Sequence, residues 1–368
     1  MSGSSFGNIL KITTWGESHG AAVGVVIDGF PAGMEICEED IQKYLDLRKP
    51  GQSAISTPRK EADKVEILSG VFDGKTTGTP ISLLVRNTSQ HSADYNDIAT
   101  YYRPGHADYT FDSKYGFRDY RGGGRSSGRE TIGRVAAGAL CLKLLEQMGT
   151  KVYAYTRSIG NVVINEDNMD LNKVYQTVTR MPDEEADKKA IALIEECKKR
   201  LDSVGGSIGV KVTGTPAGIG DTVFNKLDAL LADALMGIGA VKAVEVGDGI
   251  KVSQSYGSDN NDAFCILDGK VSKKTNHSGG ILGGMSDGSD IILRAYFKPT
   301  PSIARDQETV NKNGEDININ IKGRHDPVIM PRAVVVVQSM VAITLLDAML
   351  LNMSAKADNV IRFYKSVD

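Results

Sequence analysis

Residues 18–33, SHGAAVGVVIDGFPAG, come back later in the chain as residues 203–218, SVGGSIGVKVTGTPAG, at one constant offset. Both copies keep Ser at the first position (Ser18, Ser203), two glycines (Gly20 and Gly24; Gly205 and Gly209), a β-branched run and Pro-Ala-Gly (31–33 and 216–218). The apolar run between the glycines predicts a buried strand, and Pro-Ala-Gly predicts the turn that ends it. An amphipathic helix follows each turn, Glu38 to Arg48 in the first copy and one built on Phe224, Leu227, Leu230, Leu231, Ala234 and Leu235 in the second. A strand–turn–helix plan used twice predicts two related halves, roughly 1–185 and 186–368, packed about a pseudo-twofold axis within one domain.

Between the copies lies the most chemically loaded stretch, RPGHADYTFDSKYGFRDYRGGGRSSGRETIGR at 103–134. It carries seven basic side chains against four acidic ones, in a chain whose net charge is −3. At its centre Gly122-Gly123-Gly124-Arg125-Ser126-Ser127 runs into Ser127-Gly128-Arg129-Glu130, the spacing of a capping box. Ile132, Val135, Ala136, Ala139, Leu142 and Leu145 then follow helical spacing to Gly149. A glycine-rich loop opening a helix presents unpaired N–H groups at a positive dipole end, and neighbouring arginines add forked donors, so this is a candidate anion site. The plainer alternative is that Ser127 only bonds the amide of Glu130. His19, in a glycine-flanked loop beside Ser18, and His106 are candidates for proton transfer near neutral pH; His91, in a polar loop, carries no assigned role.

Other segments set the frame. Residues 65–71 and 80–87 predict two strands joined through Asp73-Gly74, and 151–164 predicts strands. Pro182 to Ser203 predicts a helix with Ala190, Leu193, Ile194, Cys197 and Leu201 on its buried stripe. Ala333 to Met353 is very apolar but broken by Gln338, Ser339 and Asp347, which predicts a core helix rather than a membrane span. Asp326 before Pro327 has the form of a helix N-cap with proline at the first helical position. Four widely spaced cysteines (Cys37, Cys141, Cys197, Cys265) suggest neither zinc nor a disulfide framework and suit a reducing cytoplasm. No signal peptide is expected at the N-terminus. The acidic balance argues against general nucleic-acid binding.

GESHG (16–20), RPGHADYT (103–110), YRGGGRSS (120–127), GGILGG (279–284) and GRHDP (323–327) together resemble the chorismate synthase family, in the family's order and over nearly the whole chain. The resemblance implies an α+β fold, a β-α-β sandwich with a helical core between antiparallel sheets, assembled as a homotetramer. It implies a lyase of the shikimate pathway that converts 5-enolpyruvylshikimate 3-phosphate to chorismate and phosphate by 1,4-elimination, using reduced FMN. It also implies roles. His106 protonates the departing phosphate; His19 protonates the reduced flavin, with Ser18 beside it as a relay. Asp326, linked to flavin N5, takes the proton from C6, and Ser127 belongs to the same relay. Arg48, Arg103 and Arg324 hold the substrate's anionic groups. FMN contacts carry over to Arg125, Ser126, Ser127, Gly239, Ala240, Gly283, Lys298, Pro299, Thr300, Pro301, Ser302 and Arg324, and no metal is implied. Many members carry a basic residue where this chain has Ala54, which puts a nicotinamide (NADP) or substrate contact there in question, with Arg59 or Lys60 as nearby substitutes. Members that reduce flavin with NADPH themselves tend to be longer, which points to an external flavin reductase. A flavoprotein oxidoreductase and a non-catalytic anion- or RNA-binding protein are the competing classes.

Overall fold

A computed structural model describes residues 3–51, 62–88, 97–321 and 326–365. In chain order the first part runs β1 (Ser5–Phe6), β2 (Lys11–Gly16), β3 (Ala22–Asp28), α1 (Glu38–Arg48), β4 (Val65–Ser69), the small hairpin β5 (Val71–Phe72) and β6 (Lys75–Thr76), and β7 (Ile81–Arg86). After these come α2 (Asp108–Tyr115) and α3 (Thr131–Gln147). The second part runs β8 (Lys151–Ile159), β9 (Val162–Val163), α4 (Glu184–Lys199), β10 (Gly206–Thr213), α5 (Leu227–Met236), β11 (Val241–Val246) and α6 (Gly257–Asn260). The hairpins β12 (Phe264–Leu267) with β13 (Lys270–Lys273) and β14 (Ile281–Leu282) with β15 (Met285–Ser286) lead to β16 (Ile291–Phe297). The chain closes with β17 (Asp306–Val310), β18 (Asp316–Asn320), α7 (Met330–Asn352) and α8 (Ala357–Lys365).

Two five-stranded antiparallel sheets have matching order, β1-β2-β3-β7-β4 and β9-β8-β10-β16-β11. β3 and β10, the strands of the repeated segment, occupy the central position of each. The likeness extends to single bonds. Thr76 Oγ1 donates to Pro31 O (2.7 Å) and accepts from Met34 N (3.0 Å), while Ser286 Oγ donates to Pro216 O (2.6 Å) and accepts from Ile219 N (2.9 Å). Gly33 N and Gly218 N close the two turns on Thr76 O and Ser286 O at 2.8 and 2.7 Å. The second copy of the plan, however, begins with β8 at Lys151, directly after α3, so a division at 185/186 falls inside α4. The sequence offset was inflated because α4 is inserted between β9 and β10, with no counterpart in the first half.

The helices fill the space between the sheets. α3 packs on β2, β3 and β7, α7 packs on β8 and β10, and α3 and α7 pack on each other, with α1 and α5 flanking them. This is the expected helical core between antiparallel sheets. α3 and α7 meet closely at Gly138, where an added Cβ would stand 2.3 Å from the Ser339 Cβ; only glycine fits. α7 is long and apolar enough to cross a membrane by length, yet 78% of its most apolar window is buried, so it is a core helix. Its one acid, Asp347, is buried and accepts from the amides of Asn8, Ile9 and Leu10 at 2.9 Å, pinning the N-terminal strand to the second half's helix. Such a carboxylate is tolerated because the backbone donors replace water.

Three local expectations are corrected. α4 buries Ala186, Ala190 and Ile194, whereas Leu201 lies beyond its end, exposed, and Cys197 is only half-buried. The Ser127–Glu130 capping box does not form. Ser127 Oγ accepts from Arg129 N (3.3 Å), in a turn of 3-10 helix, and Glu130 turns its carboxylate to Thr14 and Arg134 instead. Nor does Asp326 cap α7, which starts four residues later at Met330 after Ile329.

Candidate active site

The histidine loop between β2 and β3 and the glycine loop before α3 meet first. Ser18 Oγ lies 3.1 Å from His19 Nδ1, within relay distance. A Cβ on Gly122 would stand 2.3 Å from that same nitrogen, so the bare Gly122 backbone forms one wall of the histidine's seat. Arg125 clasps the end of β2, donating to Thr14 O (3.1 Å), Thr14 Oγ1 (2.7 Å) and Gly16 O (3.1 Å). Three of its donors therefore secure the strand that delivers His19. Ser126 donates to Gly123 O (2.6 Å), tightening the glycine turn.

The RPGH loop forms the second group. Arg103 grips Asp108 as a fork (Nε–Oδ2 2.8 Å, Nη2–Oδ1 2.7 Å) with both side chains largely buried. Burial pulls the Asp108 carboxyl upward, but the Arg103 hydrogen bonds overcome it and hold the group below its usual range. His106 Nδ1 sits 2.9 Å from Pro104 O. A carbonyl can only accept, so Nδ1 carries hydrogen and Nε2 is left for chemistry. Burial first, then Arg103, pushes the His106 pKa down. Lys298 Nζ donates to Gly105 O (2.8 Å), and the same glycine packs against Pro301, which docks the Lys298-Pro299-Thr300-Pro301-Ser302 segment on this loop. Lys298 N bonds Ala240 O (2.9 Å), bringing Gly239 and Ala240 alongside. Gly283 lies in the β14–β15 turn near the start of α5, at the opposite end of that helix from Gly239.

The third group surrounds Asp63, a buried carboxylate that receives Arg48 Nη1 (2.9 Å) and Arg129 Nη1 (3.0 Å). Arg48 is not a solvated helix end: it is 2% exposed and also donates to Thr131 Oγ1 and Gly128 O, both at 3.0 Å. Burial, then the charge of Arg332, pushes its pKa down to about 9 against the pull of Asp63. Asp326 Oδ2 takes Arg332 Nη1 at 2.7 Å. Arg129, Arg332 and Asp63 were not singled out in the sequence; the only signal was the position of two arginines just inside helical segments, where cations are not favoured.

Two contacts join the second and third groups. Ser203 Oγ donates to Thr300 O (2.6 Å), and Val204 N bonds Pro327 O (2.9 Å), so the repeat counterpart of Ser18 ties Lys298–Ser302 to the residue after Asp326. A cavity of about 1010 Å³, near the upper end for ligand sites, is lined by Asp108, Glu17, Gly122 to Ser126, Arg134 and Gly237 among others. Within the basic block each acid is matched: Arg118 with Asp112, Arg121 with Asp119, Arg134 with Glu130. The three remaining basic side chains are Lys114 on α2, Arg125 on the glycine loop and Arg129 in the Asp63 group. Arg324, Ala54, Arg59, Lys60 and His91 lie outside the described residues.

A flavin phosphate and ring need backbone donors, hydroxyls and cations around an opening. Here Thr300 Oγ1 is buried without a hydrogen-bond partner, a hydroxyl left available to a ligand. Ala240 adopts φ +75° and Gly239 faces open space. Lys298 joins Ala240 and the Thr300 segment here, and Arg125 and Ser126 line the cavity before α3, residue types whose donors fit FMN.

The family model described as chorismate synthase matches residues 10–350. The chain is 63% identical over 367 residues to the chorismate synthase of Agathobacter rectalis, covering 100% of both chains. It is 54% identical to that of Methanocella arvoryzae, covering 95% of each. A solved structure titled "Crystal Structure of Chorismate Synthase" superposes with a TM-score of 0.76 at 30% identity, covering 98% of both chains. With its fold, five motifs and full-length relatives in agreement, this chain belongs to the chorismate synthase family.

Proposed function

We propose that this enzyme is a lyase converting 5-enolpyruvylshikimate 3-phosphate to chorismate and phosphate by 1,4-elimination, with reduced FMN as cofactor. The observation that carries the reading is the joining of the His106 loop to the residue after Asp326 through Lys298–Ser302 and Ser203–Val204, while Asn87, which donates to Glu17 O and Gly20 O and accepts from Arg129, ties the His19 loop to the Asp63 arginine group. In the reaction the C6–H electron pair becomes a C1–C6 double bond as the proton leaves, the ring's existing C1–C2 double bond moves to C2–C3, and the C3–O pair departs with phosphate. Reduced FMN, when bound, supplies electron density to the departing allylic system.

The chain's own residues do the rest. In the imidazolium form, His106 Nε2–H delivers a proton to the leaving phosphate oxygen while Nδ1–H stays on Pro104 O. The downward pKa shift disfavours the imidazolium in the free site, and a doubly charged phosphate beside it favours that form, so the substrate recruits the proton. Asp326 accepts the proton lost from C6 at a carboxylate oxygen. His19, backed by Ser18, holds a proton beside the ring system, and Ser127 extends that relay from the glycine loop. Arg48, Arg103 and Arg324 hold the substrate's carboxylates and phosphate. Arg125 to Ser127, Gly239, Ala240, Gly283, Lys298 to Ser302 and Arg324 hold FMN. The four cysteines are free, which suits a reducing cytoplasm, where an external NADPH-dependent reductase supplies the reduced flavin. The exposed Phe264, Ile266, Leu267 and Val271 of the β12–β13 hairpin support assembly into a homotetramer.

The test is anaerobic phosphate release from 5-enolpyruvylshikimate 3-phosphate with FMN either dithionite-reduced or oxidised. Release with reduced flavin only, with chorismate absorbance appearing in step, is the expected result. No release in either state, with FMN bound, would transfer the reading to an oxidoreductase, and NADPH oxidation by the holoprotein would then be measured.

A further inference from the structure

Arg332 stands where local electrostatics oppose it. It is the third residue of α7, whose first turn carries no acid, and a cation there faces the positive end of the helix dipole. A residue that breaks a local rule usually answers to a tertiary contact. Two such contacts are present. Nη1 reaches Asp326 Oδ2 at 2.7 Å, and Nε donates to Arg48 O at 3.1 Å. Arg48 is the last residue of α1, so that carbonyl is among those a helix leaves without an internal partner. One guanidinium thus bridges the C-terminus of α1, in the first half, and the segment before α7, in the second.

We propose that Arg332 is the positioning residue for Asp326, fixing the carboxylate's rotation and binding its location to the helix end that presents Arg48. The inference rests on Asp326 acting as the proton acceptor. α7 starts at Met330, so Asp326 does not serve as its cap, and the Arg332 contact is a charge-assisted bond of the short, directional kind. Planar fork geometry makes the role specific to arginine: a lysine ammonium on a flexible stem cannot satisfy the Asp326 carboxylate and the Arg48 carbonyl in fixed directions. Because Asp63 is shared by Arg48 and Arg129, the same bridge sets the base at a constant distance from an arginine cluster suited to the substrate's anions.

The experiment compares Arg332→Ala, Arg332→Lys, Asp326→Asn and the Arg332→Ala/Asp326→Asn double variant, each loaded with reduced FMN. Displacing a positioned group commonly costs about 100-fold in rate. Arg332→Ala should therefore lower kcat by about that factor, with much smaller changes in substrate KM and in FMN Kd by fluorescence. Millimolar guanidinium should restore part of kcat in Arg332→Ala, and Arg332→Lys should stay impaired. In the double variant the Arg332 substitution should add nothing, because the two act as one unit. An additive double variant, no guanidinium rescue, or a loss confined to thermal stability would make Arg332 a strut and overturn the inference. Full turnover in Asp326→Asn alone would instead remove the proton-acceptor role, a separate failure.

Discussion

His106 Nδ1 lies 2.9 Å from the Pro104 carbonyl two residues before it, so the catalytic candidate is locked in one tautomer by its own loop. That contact is written into RPGH: proline fixes the backbone that returns the carbonyl, and Gly105, at φ +69°, closes the turn. Replacing His106 by Ala should slow phosphate release by about 100- to 10,000-fold, the usual range for one general acid, with FMN affinity nearly unchanged. Single-turnover phosphate release checks this; unaltered turnover would remove the acid role.

The same histidine makes stability depend on pH. Its folded pKa is pushed below the ordinary 6.5, so on acidification the unfolded chain takes up the proton first. This contribution is fully present above about pH 6.5 and is lost as pH falls through the folded value. The difference in urea midpoint between the parent and His106→Gln should therefore shrink in the parent's disfavour as pH is lowered from 7 to 5. A difference that does not vary with pH would show that burial of His106 does not bias its titration.

Gly122→Ala places a methyl carbon 2.3 Å from His19 Nδ1 and 3.1 Å from Ser18 Oγ. One of the two loops must move, and turnover should fall by about 10- to 100-fold as the histidine leaves its seat. A crystal structure of the variant with His19 unmoved, together with normal turnover, would contradict this.

Asp63→Asn leaves Arg48 buried beside Arg129 and Arg332 with its compensating charge gone. Breaking a buried pair from one side costs about 3–5 kcal/mol, so urea denaturation should show a loss of that order. A loss under about 1 kcal/mol would mean that water reaches the cluster.

Thr300→Val keeps the shape and removes an orphan hydroxyl. With no internal bond to lose, thermal stability of the flavin-free protein should hold or rise, while FMN binding weakens by the worth of one hydrogen bond, about 0.5–1.5 kcal/mol. Fluorescence titration and a melting curve read the two effects; unchanged flavin affinity would take Thr300 out of the cofactor site.

The sequence alone determined the repeated strand–turn–helix plan, because a continuous apolar run and turn residues such as Gly29 and Gly33 act within a few positions of each other. It likewise revealed His19, His106 and the glycine loop, whose chemistry is local. Only the tertiary structure decided where the halves divide, since the α4 insertion hides in a constant offset. It also converted two local expectations, since Glu130 left its cap for Thr14 and Asp326 left its helix for Arg332, and it carried Arg48 into the core to meet Asp63. Each change has one cause. A charged side chain is placed by the partner that replaces its lost water, and that partner here lies tens or hundreds of residues away or on an element whose start the local pattern misplaced.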